Sequence, residues 1–266
     1  EDRMPLHWIA VDHYEAMSVA GAERIAAAIE KRLRQRCPML LGLATGNTMN
    51  RLYELLAGML NRSGLDLGHL HTINLDEYVG ADGAWVPPDH PLSYHAYMDQ
   101  NFFARLDPKL GMRREHIHFP APARPAELDD MIHRMGRLDL QLLGIGFNGH
   151  IAFNEPMSES EISTEAFAAL PTRVIDLTEL TLETNARLTA GGDRSQVPRQ
   201  AVTLGMNSIL AAREVLLLAC FPEQQEPLSK MIRGRPTPTL PASYLVDHPD
   251  STVVYTGDRI SLDLGG

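Results

Sequence analysis

Apolar positions along this chain follow two rhythms. Short continuous apolar runs occur at 6–11, 39–44, 71–75, 138–145, 214–221 and 252–255, with a shorter one at 116–119. Runs of this length without polar alternation are expected of strands buried on both faces. Between them the spacing turns helical. In 14–35, Met17, Ala20, Ile25, Ala28, Ile29 and Leu33 recur on one face with charges between, and Pro38 stops the pattern. Helical patterns also cover 50–60, 92–106, 126–135 (opened by Pro125), 181–190 and 222–232. Residues 159–169 are acidic and then helical or irregular, 172–177 have β character, and 201–210 lead through Gly205 into a short helix. Residues 81–93, rich in Pro, Asp and Gly, predict a loop placed to act as a lid. Strands alternating with helices predict an α/β, Rossmann-like fold: a doubly wound, mostly parallel sheet with helices on both faces. No repeat or linker divides the chain, so 1–266 is expected to be one domain.

Composition narrows the function class. The 266 residues are 44% hydrophobic and 22% charged, ordinary for a globular protein, and the net charge of −10 argues against a nucleic-acid surface. Cys37 and Cys220 are far apart and lack metal-ligand spacing, so they read as thiols in a reducing compartment, with no metal site implied. No apolar run is long enough to span a bilayer, and no signal-peptide-like segment follows Glu1. The first methionine is Met4, so Glu1 to Arg3 read as a remnant ahead of it, and a cytoplasmic location is expected.

Three loops that follow predicted strands carry candidate chemistry, and in a parallel sheet such loops converge on one edge. Gly144 to Pro156, reading G-I-G-F-N-G-H-I-A-F-N-E-P, breaks at glycines and presents Asn148, His150 and Glu155. Histidine moves protons near neutral pH, and a carboxylate five residues on can orient its ring. Thr45-Gly46-Asn47-Thr48, between a strand and a helix, is a turn of the kind that cradles phosphate with backbone N–H groups and hydroxyls. Asp76 and Glu77 end another strand; since successive strand residues face opposite ways, one can enter a site while the other anchors the loop. Each motif alone is equally compatible with a cap, a solvated turn or a surface histidine.

Together, T-G-N-T, N-L-D-E-Y-V-G at 74–80, H-P-L-S-Y-H at 90–95 and the G-I-G-F-N-G-H-I-A-F-N-E-P stretch closely resemble the glucosamine-6-phosphate deaminases, in the same order along nearly the whole chain. The related 6-phosphogluconolactonases share the fold but lack the F-N-E-P continuation. The resemblance implies a cofactor-free isomerisation and deamination of glucosamine 6-phosphate to fructose 6-phosphate and ammonia. It assigns C2-to-C1 proton transfer to Asp76 and ring opening to His150, supported by Glu155 and Asn148. It assigns substrate and phosphate binding to Thr45, Gly46, Asn47, Thr48, Glu77 and Arg187. The expected partner is a phosphorylated amino sugar, not nucleic acid or membrane; family members occur as monomers, dimers or hexamers, so a homo-oligomer is one option.

Departures from the pattern qualify the substrate. Asn148 replaces a frequent Asp and can still hydrogen-bond the imidazole. Asn47 replaces a glycine whose positive φ asparagine tolerates. The phosphate-binding lysine expected after 214–221 is absent: the region reads F-P-E-Q-Q, leaving Gln224 or Lys230 as substitutes. Only Arg173 matches the basic residues of the enteric allosteric pocket, so no activation by an N-acetyl sugar phosphate is expected. These departures keep two alternatives open: an enzyme for another phosphorylated amino sugar such as galactosamine 6-phosphate, and a non-catalytic sugar-phosphate sensor.

Overall fold

A computed structural model describes residues 6–265; Glu1 to Arg3, read above as a remnant, lie outside them. The elements in order are β1 (His7–Val11), α1 (Tyr14–Arg34), β2 (Met39–Leu43), α2 (Asn50–Ser63), β3 (Leu70–Asn74), β4 (Asp76–Val79), α3 (Tyr94–Asn101), β5 (Ile117–His118), α4 (Ala126–Arg134), β6 (Leu140–Leu143), α5 (Thr164–Ala168), β7 (Arg173–Asp176), α6 (Glu179–Thr189), β8 (Gln200–Thr203), α7 (Met206–Leu210), β9 (Glu214–Ala219), α8 (Gln225–Arg233) and β10 (Ser251–Thr256).

Seven strands form a parallel sheet in the order β1-β10-β9-β6-β2-β3-β5. Every residue of β2, β6 and β10 is buried. Because side chains alternate between faces, this requires cover on both, as the unbroken apolar runs predict. The edge strand β1 is largely exposed. From the central pair the chain winds outward in opposite directions, β2 to β3 to β5 on one side and β6 to β9 to β10 on the other. Loops leaving the carboxyl ends of β2 and β6 therefore part and open a crevice, the position at which open α/β sheets hold ligands.

A second sheet was not expected. β4, β8 and β7 form a three-stranded antiparallel layer in that order, pairing Asp76 with Thr203 and Thr203 with Arg173. Leu75 alone separates β3 from β4. Its N–H donates to Leu43 O (3.0 Å) in the large sheet, while its carbonyl accepts from Leu204 N–H (2.7 Å) beside the small one. A satellite apolar cluster with Tyr78, Phe153, Leu177, Leu182 and Ala201 packs under this layer. The expected helix at 92–106 is shorter: α3 ends at Asn101, and Phe102 turns into the core with its ring fully buried.

Candidate active site

The loop after β6 is shaped around the His150 ring. Gly146 N–H donates to His150 O and Gly149 N–H to Gly146 O, both at 2.9 Å. A Cβ on Gly146 would overlap the imidazole of His150, so this glycine leaves room for the ring. Gly149 has φ 87°, and a Cβ there would strike Leu240. Ala152 follows with φ 52°, an unusual conformation for a residue with a side chain. Asn154 closes the turn from a fully buried position, donating to Ile151 O (3.1 Å) and Leu204 O (3.0 Å).

Behind the ring stands Glu155. Its Oε1 lies 3.4 Å from His150 Nδ1 and accepts from Thr181 Oγ1 at 2.8 Å. Its Oε2 accepts from Asn148 Nδ2 (2.9 Å) and Thr178 Oγ1 (3.0 Å). Burial pushes this carboxyl up, but the adjacent His150 and hydrogen bonds from His150, Thr181 and Asn148 together hold it below the ordinary glutamate value. Asn148 does not bond the imidazole as expected. Its amide reaches Glu155, and its oxygen accepts the backbone N–H of His150 at 3.1 Å, because the tight turn brings that N–H closer than the ring.

Asp76 begins β4 and faces the same cleft, 7% exposed. Burial pushes its carboxyl from 3.8 up to about 8; the neighbouring Glu77 adds to the rise and the Thr203 hydroxyl, 3.5 Å away, opposes it. Thr203 also accepts Phe153 N–H at 3.0 Å, so one hydroxyl ties the histidine loop to the aspartate.

Glu77, expected to bind substrate, points away from the cleft and is 0% exposed. It accepts the N–H groups of Tyr94 (3.0 Å) and His95 (2.9 Å) and contacts His95 Nδ1 at 2.6 Å. Alternation along β4 thus gives Asp76 to the site and Glu77 to the anchoring of α3. The 81–93 segment is pinned as well as looped: Val86 N–H donates to Tyr78 O (3.0 Å) and Trp85 Nε1 to Pro120 O (2.7 Å). Tyr94 lines the cleft, and its hydroxyl donates to Tyr78 Oη at 3.3 Å.

At the end of β2, Thr45, Gly46, Asn47 and Thr48 all line the cleft. Gly46 has φ 112° and takes the conformation that needs glycine, whereas Asn47 starts a 3-10 turn and does not adopt positive φ. No side chain caps this turn. Tyr97 donates to Gly46 O (2.8 Å), Tyr14 to Asn47 O (2.9 Å), and Asn47 Nδ2 reaches Leu188 O on α6 (3.3 Å). The cleft encloses about 420 Å³ and brings together Asp76, His150, Asn148, Tyr78, Thr181 and Asn185.

Residues 12–173, more than half of the chain, match the family model described as glucosamine-6-phosphate isomerases/6-phosphogluconolactonase. The chain belongs to that family. It is 40% identical over 261 residues to a glucosamine-6-phosphate deaminase of Rhodopirellula baltica, covering 96% of this chain and 94% of that one. To a glucosamine-6-phosphate deaminase of Thermoanaerobacter pseudethanolicus it is 36% identical over 256 residues, covering 94% and 92%. In structure it is similar to a monomeric glucosamine-6-phosphate deaminase, with TM-score 0.82 and 31% identity over 96% of this chain and 98% of that one. A 6-phosphogluconolactonase of Thermotoga maritima shares the fold at 21% identity and TM-score 0.65, over 94% of this chain and 99% of that one.

Within this member of the glucosamine-6-phosphate isomerase/6-phosphogluconolactonase family, neither substitute for the absent lysine supplies a charge to the cleft. Gln224 is buried and its amide is committed: Oε1 accepts from Cys220 N–H and Phe221 N–H (both 2.9 Å), and Nε2 donates to Ile145 O (2.8 Å). Lys230 pairs with Glu226 at 2.9 Å in an outer groove. Among the described residues that line the cleft there is no lysine or arginine. Arg187 is at its rim, not in it: the guanidinium sits 5.7 Å from the Phe147 ring centroid, and Phe147 lines both the cleft and the outer groove. It is paired with Glu223 at 3.4 Å. No group of three or more His, Cys, Asp or Glu among the described residues is placed to hold a metal ion.

Proposed function

We propose that this chain isomerises and deaminates glucosamine 6-phosphate, giving fructose 6-phosphate and ammonia. The observation that carries the reading is the shared cleft of Asp76, whose carboxyl is made more basic than an ordinary carboxylate by burial, and His150, whose Nδ1 is held by Glu155. With Nδ1 occupied, Nε2 is the nitrogen free to take the O1 proton and return it to O5 as the sugar ring opens. Asp76 then takes the C2 proton. A carboxylate at its ordinary value is a weak base for a C–H bond, and one raised to about 8 is better matched to the task. Return of that proton to C1 leaves a C2 imine, and addition of water with loss of ammonia gives the ketose. The cationic amine of the substrate would favour ionised Asp76 once bound.

The phosphate is placed over the uncapped turn Gly46 to Thr48, with Arg187 exchanging Glu223 for the phosphate at the rim. The lack of any lysine or arginine lining the cleft favours a second reading, an isomerase for another phosphorylated amino sugar such as galactosamine 6-phosphate. The sugar-phosphate substrate and the free thiols Cys37 and Cys220 support a cytoplasmic location; no described helix is long and apolar enough to cross a membrane. Turnover of glucosamine 6-phosphate labelled with deuterium at C2 tests the mechanism: fructose 6-phosphate carrying that label at C1 is expected. Turnover of the galacto sugar alone would select the second reading, and no ketose from either would overturn both.

A further inference from the structure

We infer that Thr181, backed by Thr178, is a positioning residue that fixes the tautomer of His150. The inference rests on His150 acting as proposed above.

Both threonines belong to the start of α6. Thr178 is its N-cap, accepting Thr181 N–H at 3.3 Å, and the same hydroxyl donates to Glu155 Oε2 at 3.0 Å. Thr181, one turn in, donates to Glu155 Oε1 at 2.8 Å and lies 3.4 Å from His150 Nδ1. An ionised carboxylate only accepts hydrogen bonds, so the Thr181 proton is spent on Glu155. Toward the imidazole Thr181 then offers only a lone pair. Glu155 Oε1, also 3.4 Å from Nδ1, likewise offers only a lone pair. Two acceptors facing one ring nitrogen require that nitrogen to carry the hydrogen, which leaves Nε2 as the unprotonated atom.

Each contact to Nδ1 is long by itself, as is common before substrate is bound, so the two acceptors share the task. The arrangement also ties the catalytic pair to a helix that borders the cleft, since Asn185 and Leu188 of α6 line it. A structural role would require only that the hydroxyl pack; a positioning role requires that it donate to Glu155 and accept from His150.

The test uses full-length protein labelled with ¹⁵N-histidine, with His150→Gln to assign the resonance, and compares wild type, Thr181→Val and Thr181→Ser. In the neutral ring of the wild type, the hydrogen is expected on Nδ1. Thr181→Val should give a tautomer mixture, a kcat about tenfold lower and a KM within about twofold, and Thr181→Ser should restore both readouts. An unchanged tautomer with wild-type kcat in Thr181→Val would overturn the inference. The spectrum needs no substrate: a tautomer change in protein that releases no ammonia would support the positioning role while removing the deaminase reading. Should Thr181→Val fail to fold, Thr178→Val, which removes the donor to Oε2 together with the cap on Thr181 N–H and the 3.1 Å contact to Thr181 Oγ1, should shift the same resonance in the same direction, and no shift would overturn the inference.

Discussion

Asp76→Asn should spare the protein a loss of stability that wild type suffers as pH rises, while sharply lowering its turnover. In the folded chain burial keeps Asp76 protonated until about pH 8, against 3.8 when unperturbed. Between these values the folded state binds one more proton than the unfolded state, so stability falls with pH by about 1.36 kcal/mol per unit. The contribution is fully present below 3.8 and lost as pH rises through about 8. Over the accessible window from about pH 5 to about pH 8, wild type should lose about 4 kcal/mol that Asp76→Asn keeps. That is a large part of the ~5–15 kcal/mol that holds a typical domain together. Every other titrating group is common to both proteins, so the difference between their urea-unfolding free energies isolates Asp76. A difference that grows steadily with pH and levels off above about pH 8 is expected. Parallel curves would refute the reasoning, and with it the claim that burial raises the basicity of Asp76 above that of an ordinary carboxylate.

Three further outcomes are expected. The acid limb of kcat/KM should fall near pH 8, and Thr203→Val should move it higher by removing the hydroxyl that opposes the rise; a limb that Thr203→Val leaves in place would assign it to the substrate amine. Glu223→Gln should free Arg187 and lower KM for a phosphorylated substrate by up to about fivefold with kcat unchanged, as an exposed pair of ~0–1 kcal/mol allows, and leave unphosphorylated glucosamine unaffected. Gly149→Ala should cost about 2–4 kcal/mol in urea unfolding, since it forces alanine into positive φ and a Cβ into Leu240; an unchanged midpoint would show that the loop repacks.

The large sheet was legible because strands covered on both faces have no polar alternation to disguise them: Met39–Leu43, Leu140–Leu143 and Glu214–Ala219 all lie within expected runs. Of the small sheet only β7 was legible, Arg173–Asp176 lying within the 172–177 segment of β character. Gln200–Thr203 and Asp76–Val79 are four residues each and mix polar with apolar side chains, so pairing, not pattern, makes them strands. Asp76 and His150 were legible because acid–base chemistry limits the side chains that serve it. Which of Asp76 and Glu77 faces the cleft depends on the turn out of β3 at Leu75, a tertiary fact. Thr178 and Thr181 read as an ordinary helix start. The signal was there in T-E-L-T at an N-cap, but the partner of their hydroxyls, Glu155, is distant in sequence.

Ammonia release from glucosamine 6-phosphate by wild type and Asp76→Asn, at pH 8 and saturating substrate, tests the central claim most directly. The account predicts robust release by wild type and a loss of about 10²–10⁴-fold in the variant, with the fold retained. A folded Asp76→Asn that releases ammonia at the wild-type rate would contradict it.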